Sequence, residues 1–183
     1  MKTAKFATGM VLVALAMIFA SCSRDETDPS HAATGDNPLI LNDCEKCGLA
    51  VLLETAKMHR DIYTWINARF PHDEFTELAE SEGTCRQLLT EKAERYGLTN
   101  PTLNKLPGEF ENPGLQNQYN EFIRLSTGGL QDMIDNAIVM EEAMICKVVE
   151  QQCNLCGKDD IRQVYGDLLE TTNSQLRMLK DGF

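Results

Sequence analysis

The sequence predicts an all-α domain of four long helices arranged as two antiparallel hairpins, joined by a long crossover that contains a short extra helix. Three observations predict it. From Cys44 onward, apolar residues recur at helical spacing, with almost no strand-like alternation and no Asn-Gly hairpin turn. The loops after the first and third long segments are only a few residues, which makes each pair antiparallel neighbours. Between the pairs, residues 99–114 hold Pro101, Pro107, Pro113 and two glycines, a connector long enough to run the length of a bundle.

The chain opens on a segment that is not part of that fold. Lys2 and Lys5 precede an apolar run over residues 10–20, too short to span a bilayer and ending in small residues. Phe19-Ala20-Ser21-Cys22 resembles the lipobox of bacterial lipoproteins, with Phe19 where leucine is usual. Residues 1–21 are therefore expected to be a signal peptide, and Cys22 to carry the lipid that anchors the mature protein without spanning the membrane. Residues 22–43 are polar and turn-rich and read as a flexible tether. The acidic residues after Cys22 resemble the surface-export signal of Bacteroides-group lipoproteins. Loss of Lys2 and Lys5 with the signal takes the formal charge from −11 to about −13. Such acidity excludes nucleic acid as a partner and excludes an electrostatic grip on anionic lipid.

The domain is expected over residues 44–183. Helix one is expected over residues 45–70, with a stripe of Leu52, Thr55, Ala56, His59, Ile62, Tyr63, Ile66 and Phe70, ended by Pro71. Helix two is expected over 74–96, capped by Asp73 and stopped at Gly97. A short helix is expected over 115–125, broken by Ser126-Thr127-Gly128-Gly129. The last two long helices are expected over 130–152 and 159–180. Each stripe is interrupted by polar residues at mid-length: Thr55 or His59, then Glu82 and Cys85, then Glu141, then Thr172 and Gln175. A carboxylate on a core-facing stripe is costly unless paired or metal-bound, so the four interruptions predict one shared polar layer. Two hairpins with one long crossover is the connectivity of ferritin-like four-helix bundles.

Residues 48–180 resemble the ferritin-like bacterial and archaeal proteins catalogued as domain of unknown function 2202. The resemblance rests on Lys57-Met58-His59-Arg60-Asp61-Ile62-Tyr63 and on Phe75-x-x-Leu78-Ala79-Glu80-Ser81-Glu82. It continues through Tyr96-Gly97-Leu98, Gly108-Glu109-Phe110, Met140-Glu141-Glu142 and Val164-Tyr165-x-x-Leu168-Leu169. It implies a layer able to hold two irons, with a Glu from two helices and a Glu-x-x-His from the other two. Here the family's triple Glu survives only as Glu54, the His of Glu-x-x-His is Cys85, and the late His position reads Gln175. A two-iron centre needs about five or six protein ligands. The expectation is therefore a degenerate site drawn from Glu54, His59, Glu82, Cys85, Glu141 and Gln175. In it, Gln175 and Thr172 would donate to the carboxylates of a hydrogen-bonded network, with a single metal held by Glu82, Glu141, His59 and Cys85 as the alternative.

Six further cysteines remain: Cys44-x-x-Cys47, Cys85, Cys146 and Cys153-x-x-Cys156. The topology puts both Cys-x-x-Cys motifs at one end of the bundle. They are expected to form disulfides, one of which would close a loop of roughly 110 residues and contribute ~4–5 kcal/mol. A tetrahedral zinc or iron site and a redox module are the alternatives. Cys85 and Cys146, on diagonal helices, are expected to be buried thiols. The chain thus reads as a non-enzymatic binding or scaffold protein of the bacterial envelope, held by lipid at the outer membrane, with no protein partner identifiable. Metal-dependent oxidation at a remodelled carboxylate site is the alternative, with iron or zinc as the cofactor such residues would take.

Overall fold

The computed structural model describes residues 40–183. The expected signal peptide, Cys22 and nearly all of the expected tether lie outside those residues. Five helices and no strand make up the described chain: α1 (Asp43–Asn67), α2 (Asp73–Arg95), α3 (Pro113–Leu125), α4 (Leu130–Cys153) and α5 (Asp159–Asp181).

Helix α1 starts in a reciprocal cap. The Asn42 side chain accepts from the Glu45 N–H at 2.9 Å, and the Asn42 N–H donates to Glu45 Oε2 at 2.8 Å. It ends short of residue 70 because Asn67 is turned into the α1–α2 loop, where Oδ1 accepts from His72 N–H at 3.0 Å and Nδ2 donates to Thr76 at 2.9 Å. The residue flanking α2 is His72, not Asp73 as expected, and it makes no side-chain cap. Asp73 and Glu74 instead occupy the first turn, where negative charge meets the positive end of the helix dipole. Gly97 stops the helix with φ at +68°, a conformation a side chain would strain, and the Leu98 N–H closes on Ala93 O at 2.8 Å.

The pairings α1–α2, α2–α5, α5–α4 and α4–α1 form a closed ring, leaving α1 opposite α5 and α2 opposite α4. α3 lies across α1 and α4. At one end the Cys156 N–H donates to Glu45 Oε1 at 2.9 Å, and the Tyr96 hydroxyl donates to Asp160 at 2.7 Å. That end therefore gathers the start of α1, the end of α2 and the α4–α5 turn. At the opposite end Phe75 stacks on Phe183 with ring centroids 4.8 Å apart. No described helix is long and apolar enough to cross a membrane.

The core is two apolar clusters, one towards each end. One gathers Leu49, Leu52, Leu89, Val148 and Tyr165, the other Tyr63, Ile66, Phe75, Leu78 and Leu179. At the junction of the two lie the buried polar residues His59, Glu82, Glu141 and Gln175. Burying side chains above and below this layer removes solvent from it, so its polar groups depend on one another or on a ligand.

Candidate metal site

Each long helix sends one of these four polar side chains inward: His59 from α1, Glu82 from α2, Glu141 from α4 and Gln175 from α5. Their exposures are 1 %, 1 %, 0 % and 3 %. His59 Nδ1 lies 3.1 Å from Glu141 Oε1 and 3.7 Å from Glu82 Oε1. The Tyr63 hydroxyl, one turn along α1, donates to the same Glu141 oxygen. One ligand atom from each of His59, Glu82 and Glu141 falls within 4.8 Å of the others, the sole such trio of His, Cys, Asp or Glu among the described residues.

The electrostatics are those of a charge held out of water. Burial alone would depress the His59 pKa, but the charge and hydrogen bond of Glu141, then those of Glu82, raise it to about 9. Burial raises the Glu82 pKa, opposed by His59 and Gln175 and reinforced by the charge of Glu141. Burial and the Glu141 charge also hold the Tyr63 phenol well above its ordinary range, so it remains a donor. The site retains unmet demand. Glu82 Oε2, Glu141 Oε2 and both amide atoms of Gln175 are buried without a hydrogen-bond partner. Gln175 lies near enough to Glu82 to favour its charged form, yet it completes no hydrogen bond there. Leaving such groups unpaired costs about 1–3 kcal/mol each, more for a charged carboxylate.

Of the residues singled out in the sequence, His59, Glu82 and Glu141 come together and Gln175 borders them. Glu54 does not join them. Its carboxylate faces the crossover, where Oε1 accepts from Glu111 N–H at 2.5 Å and from Asn112 N–H at 3.2 Å, and Oε2 accepts from Asn112 N–H at 3.1 Å. Thr55 is likewise committed elsewhere, donating to Val51 O at 2.7 Å and accepting from Lys147. The expected donation from Gln175 is not made, and Thr172 is buried without a hydrogen bond to either carboxylate. Cys85 is 5 % exposed and lies outside the trio; burial, then the Glu82 charge, pushes its thiol up to about 12. Such a thiol is a poor anionic ligand.

Contact between α1 and the α4–α5 turn brings the two Cys-x-x-Cys motifs to one end of the molecule. There Cys44, Cys153 and Cys156 are exposed, and no three thiols approach within ligand distance. Neither the expected disulfides nor the tetrathiolate arrangement is assembled from Cys44, Cys153 and Cys156. Cys146 is exposed, against the expectation of burial.

Sequence reasoning passed over Tyr63 as a site residue. Its position four residues after His59 on the same helical stripe was the available signal. Lys147 was also missed. It lines a cavity of about 90 Å³ between α1, α3 and α4 that also reaches His59, Met58, Met140 and Met144.

Comparison with known proteins places the chain, though not its site, in a family. The model of an uncharacterized protein domain, DUF2202, matches residues 45–182. An uncharacterized protein of Methanocaldococcus jannaschii, MJ0754, is 26 % identical over 137 residues, covering 75 % of this chain and 74 % of its own. The crystal structure of hypothetical protein MJ0754 from Methanococcus jannaschii superposes with a TM-score of 0.74 at 22 % identity, covering 81 % of this chain and 83 % of that one. The likeness extends to the fold.

Proposed function

The chain belongs to the DUF2202 family, and from that premise we propose that its domain is a metal-binding protein holding one divalent transition-metal ion through His59, Glu82 and Glu141. The observation that carries this reading is the set of orphaned oxygens on Glu82 and Glu141 beside a histidine, in a layer with no water-facing side chain. One nitrogen and two carboxylates suit manganese, iron, cobalt or zinc. With Glu54 turned to the crossover, Cys85 outside the trio and Gln175 in place of a His, the donors fit a single ion and not a pair. The ion would replace the proton that Glu141 and Glu82 hold on His59, setting two positive charges against the two carboxylates where the metal-free layer has one. Tyr63 orients Glu141 through its hydroxyl, and the apolar clusters on either side exclude water.

On this reading the domain is a ferritin-like bundle with a reduced centre, tethered through lipidated Cys22 at the envelope of a bacterium. It serves there as a binding protein and not a scaffold alone. The existing bonds from Tyr63 and His59 to Glu141 favour one other reading, a metal-free hydrogen-bonded relic. Elemental analysis of the full chain after exposure to Mn²⁺ and gel filtration separates the two. One ion per chain is expected, lost in both Glu82→Gln and Glu141→Gln. No ion, or one that survives both substitutions, refutes the site; two per chain would restore a dinuclear centre.

A further inference from the structure

Two openings approach the buried layer, and they differ in chemistry. The cavity between α1, α3 and α4 has more apolar than polar side chains in its lining, with Met58, Met140 and Met144 among them; Lys147 contributes a positive charge, and the one carboxylate there, Glu121, is already paired with Arg124. A divalent cation entering there would shed water against thioethers and meet a like charge. The second opening is a groove of about 380 Å³ between α2 and α5. Glu77 and Glu170 are exposed at its rim, Ser81, Thr171 and Ser174 supply hydroxyls along its walls, and Gln175 lies at its floor.

We propose that the α2–α5 groove is the entry route by which a divalent cation reaches the mid-bundle site, with Glu77 and Glu170 collecting it and Gln175 passing it to Glu82. This inference rests on the metal-binding reading given above. Its independent support is Gln175, which is 3 % exposed, lines the groove, and has neither amide atom hydrogen-bonded. An amide oxygen without a partner, set between a wet acidic groove and a dry carboxylate, is a ligand a partly dehydrated cation can use in transit. Hard divalent ions give up water reluctantly, so a path of successive oxygen donors lowers the barrier where an apolar path would not. Carboxylates at the mouth raise the local cation concentration and the association rate.

The test is stopped-flow uptake of Co²⁺ by the full chain, followed through visible d–d bands that Glu82→Gln abolishes. Neutralising the rim in the double variant Glu77→Gln/Glu170→Gln should slow uptake about tenfold at low ionic strength. The final absorbance and the one-per-chain stoichiometry should be unchanged, and the rate difference should shrink in ~0.5 M salt. A control pair away from the groove, Glu94→Gln/Asp135→Asn, removes the same charge from exposed positions and should leave the rate near wild type. An unchanged rate in the rim variant, or an equal drop in the control pair, overturns the route. So does loss of the end-point absorbance in the rim variant, which would make Glu77 or Glu170 part of the site. Failure of the underlying reading is told apart because it appears in the wild-type chain, which would then give no d–d bands beyond those of aqueous Co²⁺, or only bands that survive Glu82→Gln.

Discussion

Glu54 is 4 % exposed and spends its charge on the Glu111 and Asn112 N–H groups, at the point where the crossover turns into α3. A few residues on, Lys57 donates to Asp61 at 2.5 Å and to Leu106 O at 2.8 Å, while Asp61 accepts from Gly108 N–H at 2.9 Å. This side of α1 organises the connector, and the side bearing His59 and Tyr63 makes the site. Replacing Glu54 by Ala removes the charged acceptor of two partly buried backbone donors and should cost about 1.5–3 kcal/mol in denaturant unfolding. Metal stoichiometry should stay at the wild-type value; a lost ion would return Glu54 to the ligand set. Lys147 makes a second test at this scale. Burial, partly offset by Glu150, lowers its pKa from 10.5 to about 8, and its amine reaches only Thr55, at 3.1 Å. A lysine depressed in the fold holds fewer protons there than in the unfolded chain, so wild-type stability rises with pH from about 8 to 10.5. Lys147→Met should therefore stabilise by about 1–2 kcal/mol at pH 7, the figure being discounted for the partial exposure of the side chain. That advantage should fade as unfolding is measured at pH 9 and 10; a gain independent of pH would mean packing, not charge, is responsible.

At the scale of the helix, α5 carries an evident weakness. Gly166 lies inside Asp159–Asp181, exposed, and a Cβ built there meets no atom within 4 Å. Gly166→Ala should raise stability by about 0.5–1 kcal/mol through backbone entropy alone. Thermal melts would show it, and a destabilised variant would mean that α5 is packed against something in solution on that face. How much of each helix could be read in advance follows from the same local physics. Helical period placed the inward residues of all four long helices, because burial against a core leaves a repeat in the chain whatever the partner. Leu52, Ile62, Leu89, Val148 and Leu168 are all buried as their spacing requires. Helix ends were less legible where a side chain took over the role of the backbone, as Asn67 does beyond α1. Within the layer, period also separates Glu54 from His59. Five residues turn a helix through roughly 140°, so the two cannot share a face. What period could not supply was the destination of Glu54, since Glu111 and Asn112 lie 57 and 58 residues further along the chain. Nor could it show that Gln175, spaced like a donor to the carboxylates, would leave both amide atoms unused.

For the whole molecule, the layer is where the buried side-chain polar atoms without a partner lie among the described residues, so it is the place where a ligand would add bonds the fold does not make. Apolar clusters on both sides are independent of any metal, so the chain should fold without one, in contrast to small domains whose folding free energy is metal binding itself. The layer is only partly bonded in that state: one oxygen of each carboxylate and both amide atoms of Gln175 stay unpaired. A cation that binds the folded chain alone stabilises it by mass action, about 2.7 kcal/mol at a free concentration one hundredfold above Kd. For a chain of 183 residues that amounts to a rise in Tm of roughly 5–10 °C. Mn²⁺ should produce this shift in the wild type and excess chelator should reverse it to the metal-free Tm without unfolding. Mn²⁺ prefers oxygen and imidazole donors over thiolate, so the shift should survive Cys44→Ser and Cys156→Ser at the exposed end. It should vanish in Glu82→Gln, whose own melting temperature should lie close to that of metal-free wild type, because exchanging a carboxylate that lacks part of its bonding for an amide removes little. Calorimetry of these proteins with and without Mn²⁺ decides the matter. A shift that persists in Glu82→Gln but disappears with the cysteines would move the metal from the middle of the helices to their thiol-bearing end.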